Sequence, residues 1–117
     1  MRKLSTPVFI TDAEGKIVFF NEPAEDMLGR TFAETGELEA NEWYGLISVE
    51  TLDGEPLAVE DMPGGIARRE RRPAHSALRV TDLDGSRRVI EDTAFPLLGH
   101  DDELYGSVAI FWEHPEG

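Results

Sequence analysis

Cysteine is absent from the 117 residues. That removes disulfides, thiolate nucleophiles, iron–sulfur ligation and photoadducts to a cysteine together, and it fits a reducing compartment. Long apolar runs are missing too, since nothing approaches the roughly eighteen residues that a membrane-spanning helix requires. The start, Met1-Arg2-Lys3-Leu4-Ser5-Thr6, has two basic residues but no apolar stretch before Pro7 and Asp12. It does not read as a signal peptide, and a cytoplasmic protein is expected. Histidine is scarce: His75, His100 and His114 are too dispersed to form a metal set. Positive charge is also in short supply, with 11 basic residues against 24 acidic ones and a net charge of −13. Such a field repels phosphate backbones and anionic lipid, so neither nucleic acid nor a membrane surface is an expected partner. Solubility is the plainer use of the charge.

What is present reads as one domain, residues 7–113 between short tails at 1–6 and 114–117. Pro7 to Asp12 and Lys16 to Phe20 are apolar runs joined by Ala13-Glu14-Gly15, the pattern of an antiparallel hairpin. Asn21 to Gly29 has the marks of a short helix. Asn21 can cap it, Pro23 sits in the first turn, Glu22 and Glu25 suit the positive end of the dipole, and Gly29 supplies a left-handed stop. Residues 30–58 are less regular, with one or two helical turns and a turn at Asp53-Gly54-Glu55-Pro56. Asp61 can cap a helix running through Pro63 and Ile66 to about Arg71, before Pro73. Three strands follow: Ser76 to Thr81, Arg87 to Leu97 and Leu104 to Glu113, with Asp84-Gly85 marking a hairpin and His100 to Glu103 a turn. Strands followed by helices and then by more strands indicate an α+β layer arrangement.

Three stretches carry a family resemblance. They are Asp12-x-x-Gly15-x-Ile17-x-x-x-Asn21-x-x-Ala24-x-x-x-Leu28-Gly29, then Asp53-Gly54-x-Pro56-x-x-x-Glu60-Asp61-x-Pro63, then Asp84-Gly85-x-Arg87 with Pro96-Leu97 and Gly106-x-Val108. In this order and spacing, over roughly residues 7–112, the chain resembles the PAS domain family, bacterial members included. The resemblance implies a five-stranded antiparallel sheet with short helices packed on one face. It also implies a sensory or regulatory role in signal transduction, with a small molecule between sheet and helices, a partner protein or second copy on the outer face, and no reaction of its own. Two departures stand out. PAS domains often finish in Asp-Ile-Thr leading to a signalling helix, where this chain has Glu113-His114-Pro115. The stretch before the first strand also leaves little room for an N-terminal helix. Either the domain acts alone by association or an output domain belongs to it.

The candidate ligand pocket takes Met27, Leu28, Phe32, Trp43, Leu46 and Ile66 from the helices. Leu78, Val80, Ile90, Asp92, Val108 and Ile110 form the opposite wall. The same side chains could fill a solid core, which would leave a ligand-free protein-interaction domain. In the strand Val89 to Pro96 each face carries one carboxylate, so one must point inward unless that part of the sheet is solvated, and by the family's pattern that one is Asp92. Buried, it needs an Arg, a backbone N–H or a polar ligand, and a structural ion pair is the plainer expectation. Haem is not expected, because Glu60 to Arg72 holds no histidine and His75 reads as a strand-edge residue. Cysteine-adduct flavin chemistry is excluded, while non-covalent flavin, with Trp43 and Trp112 as stacking residues, and other small organic ligands stay open. Arg68, Arg69, Arg71 and Arg72 suit a helix C-terminus, with docking of an acidic partner, or of the acidic surface of a second copy, as the alternative. Phe9, Phe19, Phe95, Ala109 and Phe111 are placed on the outer sheet face, where an apolar patch predicts a homodimer. An isomerase-type enzyme would need Asp92 with a raised pKa beside an oxyanion donor, and no nucleophile–base pair or phosphate loop is visible.

Overall fold

A computed structural model describes residues 6–28, 31–39, 42, 44, 45, 48–81, 85 and 87–113, with side chains other than those of Met27, Asp102 and Glu113. The expected hairpin is formed by β1 (Val8–Asp12) and β2 (Ile17–Phe20). Asp12 Oδ1 accepts from the Glu14 and Lys16 amides, at 3.0 Å each, and so closes the turn with its own side chain. Helix α1 (Glu22–Leu28) follows at once. Asn21 Oδ1 accepts from the Ala24 amide at 3.1 Å as the cap and from Val8 N at 3.0 Å, so one side chain starts the helix and ties it to β1. Gly29, expected as the helix stop, lies outside the described residues.

A second, four-residue helix α2 (Phe32–Thr35) opens with a capping box in which Thr31 Oγ1 accepts from Glu34 N and the Glu34 carboxylate accepts from Thr31 N. A single 3-10 turn at Val59–Asp61 leads into α3 (Pro63–Glu70). Asp61 does not cap α3 as expected. It closes the 3-10 turn, Met62 becomes the N-cap residue with no side-chain cap, and Pro63 fills the first helical position. At the other end Arg71 adopts the left-handed conformation and its amide donates to Ala67 O, ending the helix two residues before Pro73.

The sheet holds six strands, not the expected five. Besides β4 (Ala74–Thr81), β5 (Arg87–Leu98) and β6 (Leu104–Glu113), a three-residue strand β3 (Ser48–Glu50) pairs with β4, Val49 opposite Val80. Three residues with one apolar member are too short for alternation to register. Yet Val49 is buried and nails the strand to the core. The order is β2-β1-β6-β5-β4-β3, antiparallel throughout, so the first and last strands of the chain meet near the middle.

Residues opposite one another in an antiparallel pair share a face. Inward, toward the helices, run the rows Phe20–Phe9–Ala109–Ala94 and Phe111–Asp92–Ser76. Outward run Phe19–Ile10–Val108–Phe95 and Val8–Ile110–Thr93–His75. The expected facing of β5, with Ile90, Asp92 and Ala94 inward, holds, since all three are buried. That of β6 is reversed. Phe111 and Phe9 lie in the core with ring centroids 5.1 Å apart, and Ala109 packs against that core, whereas Val108 and Ile110 are half-buried on the outer face. Residues 108 to 111 are all apolar, so alternation says nothing about which member points inward. The pairing of Phe111 with Asp92 and of Ser107 with Thr11 decides it.

Candidate ligand cavity and outer sheet face

The helices do not fill the concave side completely. A cavity of about 30 Å³ remains between the first turn of α3 and the inner rows of β1, β5 and β6. Its apolar wall is made by Phe9, Ile17, Val59, Met62, Ala109 and Phe111, and its polar groups are Thr11, Arg68, Asp92 and Ser107. The Thr11 and Ser107 hydroxyls, opposite each other across β1 and β6, lie 2.8 Å apart. Arg68, half-buried on α3, donates from Nη1 to both, at 3.3 and 3.4 Å. Burial pulls the guanidinium below its usual pKa, and Asp12 opposes that pull. Gly15 makes room for this arrangement: φ is +93°, and a Cβ there would sit 2.8 Å from Arg68 Nη2.

Asp92 faces the same cavity. It is 1% exposed, and its Oδ1 has no hydrogen-bond partner among the described residues. The expected ion pair is not found, because the neighbours across the sheet are Ser76 and Phe111 and neither carries charge. Burial alone pushes the carboxyl up to about 8, so it is largely protonated at neutral pH. Just outside, an open groove of about 510 Å³ is bordered by Glu14, Tyr44, Ala58 and Glu60, and it shares Val59 and Arg68 with the cavity. Arg68 therefore stands between the two spaces.

Of the pocket residues expected from sequence, Asp92 alone lines this cavity among the described side chains. Leu28, Leu78, Val80 and Ile90 are buried in the solid core, and Phe32 packs edge-on against Phe20 with ring centroids 5.3 Å apart. Ile66 is half-buried on α3, while Trp43, Leu46 and the Met27 side chain lie outside the described residues. Sequence reasoning missed Thr11 and Ser107, and it put Arg68 at the helix C-terminus, where it does lie, without placing it at the cavity. Thr11 follows one continuous apolar run and Ser107 precedes another, so each is a polar residue on an otherwise apolar inner face, visible only once the facing is known. His75 sits on the outer face, its Nδ1 2.7 Å from Thr93 Oγ1 and its Nε2 3.1 Å from Glu91 Oε1. No group of three His, Cys, Asp or Glu among the described residues could hold a metal ion. No helix among them is long and apolar enough to cross a membrane.

The outer face carries the second feature. Phe19, Phe95 and Trp112 are 43%, 41% and 49% exposed, and they flank the half-buried Val8, Ile10, Val108 and Ile110 on four adjacent strands.

A six-stranded antiparallel sheet in this order, gripping short helices over a cavity, agrees with a family match. The family model described as PAS fold matches residues 1–112. The chain belongs to the PAS family. A PAS domain from Colwellia psychrerythraea superposes with a TM-score of 0.67 at 17% identity, covering 96% of this chain and 88% of that one. The PAS domain of BvgS from Bordetella pertussis gives 0.62 at 20% identity, over 92% and 73% of the two chains. The fungal blue-light photoreceptor Vivid, solved as a light-state dimer, gives 0.65 at 17% identity, over 97% and 80%. A search of the curated proteins found no match. PAS domains are sensory and signalling modules, generally without catalysis of their own. Asp92 does have the raised pKa that an isomerase-type acid would need, but in a space about tenfold below a usual small-molecule pocket.

Proposed function

We propose that this PAS domain is a regulatory sensor that reads a small ligand in the cavity beside Asp92 and acts through a partner docked on the outer sheet face, that partner being a second copy of the chain. The observation that carries this is the two-sidedness of β5 and β6. Their inner faces give Asp92, Ser107 and Phe111 to the cavity, and their outer faces give Phe95, Val108 and Ile110 to the apolar patch. A change in what the cavity holds acts on the same strands that meet the partner. Charge argues for where copies meet: each bears −13, so two copies attract only where the facing surface is uncharged, and the row Phe19–Ile10–Val108–Phe95 is. The dimeric Vivid structure gives a precedent among proteins of this fold.

The small volume favours a second function, the ligand-free docking module with a filled core. Sedimentation equilibrium tests the docking that both share. The wild type is expected to dimerise reversibly at concentrations on the order of micromolar, and Val108→Glu to be monomeric with unchanged circular dichroism. A monomeric wild type, or a Val108→Glu dimer as tight as the wild type, would overturn the sheet-face assignment.

A further inference from the structure

We propose that the cavity under the first turn of α3 binds a small monocarboxylate, of the size of acetate or formate. This rests on the reading of that cavity as the ligand site, and it names the ligand's class. Four observations converge. Met62, Gly64 and Gly65 bring the start of α3 to the cavity wall, no side chain caps that start, and the positive end of a helix dipole favours an anion. Arg68 adds a full positive charge, yet among the described residues its hydrogen bonds reach only the neutral hydroxyls of Thr11 and Ser107. Asp92, buried and with an unpartnered oxygen, faces the same space.

That combination decides the class. A cation would meet Arg68 and the helix end. A neutral amide would leave Arg68 with the influence of Asp12 but with no anion inside the cavity. A carboxylate satisfies both ends: one oxygen accepts from Arg68 and from whichever of the two hydroxyls does not donate to the other, and the other oxygen accepts a hydrogen bond from the Asp92 carboxyl, which burial keeps protonated. The size follows from the volume, since about 30 Å³ holds roughly two to four non-hydrogen atoms, and Phe111 and Ala109 offer an apolar wall to a methyl group.

The test titrates the ¹⁵N-labelled full chain with sodium acetate, with sodium chloride and methylammonium chloride as controls. Acetate is expected to give saturable shifts of the Gly64, Gly65 and Ser107 amides that chloride does not give. Arg68→Gln should weaken binding by about tenfold or more. Carrying the pH upward through about 8 should weaken it as well, because Asp92 then becomes a second anion. Among the described residues Arg68 is the one charged group besides Asp92 that lines the cavity, and it stays protonated across that range. Asp92→Asn keeps a donor in place, so it should still bind acetate and should lose the pH dependence. Equal shifts with chloride would mean an adventitious ion only, and would overturn the proposal. Saturable shifts with methylammonium instead would overturn the class while leaving the cavity a ligand site. No shift with any of them in the folded chain would overturn both, and the sheet-face docking would still be judged separately by sedimentation.

Discussion

Asp92 gathers most of the chemistry into one side chain. β5 has a carboxylate on each face and buries Asp92, whose Oδ1 has no hydrogen-bond partner among the described residues. Its pKa rises from 3.8 to about 8, and the linkage sign follows from where protons sit. Below the lower value both folded and unfolded chains hold the proton, and Asp92 costs nothing. Between the two values only the folded chain holds it, so stability falls as pH rises, by up to about 1.4 kcal/mol per pH unit. Denaturant unfolding of the wild type and Asp92→Asn at several pH values measures this. The two should be close in stability near pH 4 and diverge toward pH 8, with the variant the more stable. Parallel curves would mean that the carboxyl is hydrated or paired when folded.

At the scale of elements, two local features differ in how they act. Thr31→Ala removes the cap that starts α2, and since α2 buries no residue fully the expected loss is about 0.5–2 kcal/mol. Gly65→Ala places a methyl 2.6 Å from Glu60 O, backbone that cannot swing aside, and the expected loss is about 1–3 kcal/mol. Thermal melts should rank Gly65→Ala as the worse, and the reverse order would mean that α3 can shift away from the 3-10 turn.

These elements also show what the sequence discloses. The hairpin, the Asn21 cap, the extent of β6 and, to within two residues at one end, those of β4 and β5 were legible because each has its own local signal: an apolar run, alternation, a cap or a Gly turn. β3 was not, because a single valine between Ser48 and Glu50 has no period. The facing of β6 was not either. Four apolar residues in a row leave it to strand register, a long-range property that β1 and β5 impose. The cavity was legible through Asp92 alone, since Thr11, Arg68 and Ser107 are distant in sequence and meet only once β1, β6 and α3 pack together.

For the whole molecule, the account turns on a sheet that serves two sides at once: an inner face around Asp92 and Arg68, and an outer apolar face available to a second copy. On the proposed reading the excess of acidic residues disfavours contacts between charged surfaces, so association should be confined to that face. Amide spectra of the labelled chain recorded over a dilution series locate the contact directly. The signals of Phe19, Ile10, Phe95, Val108 and Ile110 should move together with concentration, while those of α3 stay fixed. Concentration-dependent movement on α3 in place of the sheet, or none anywhere, would contradict it.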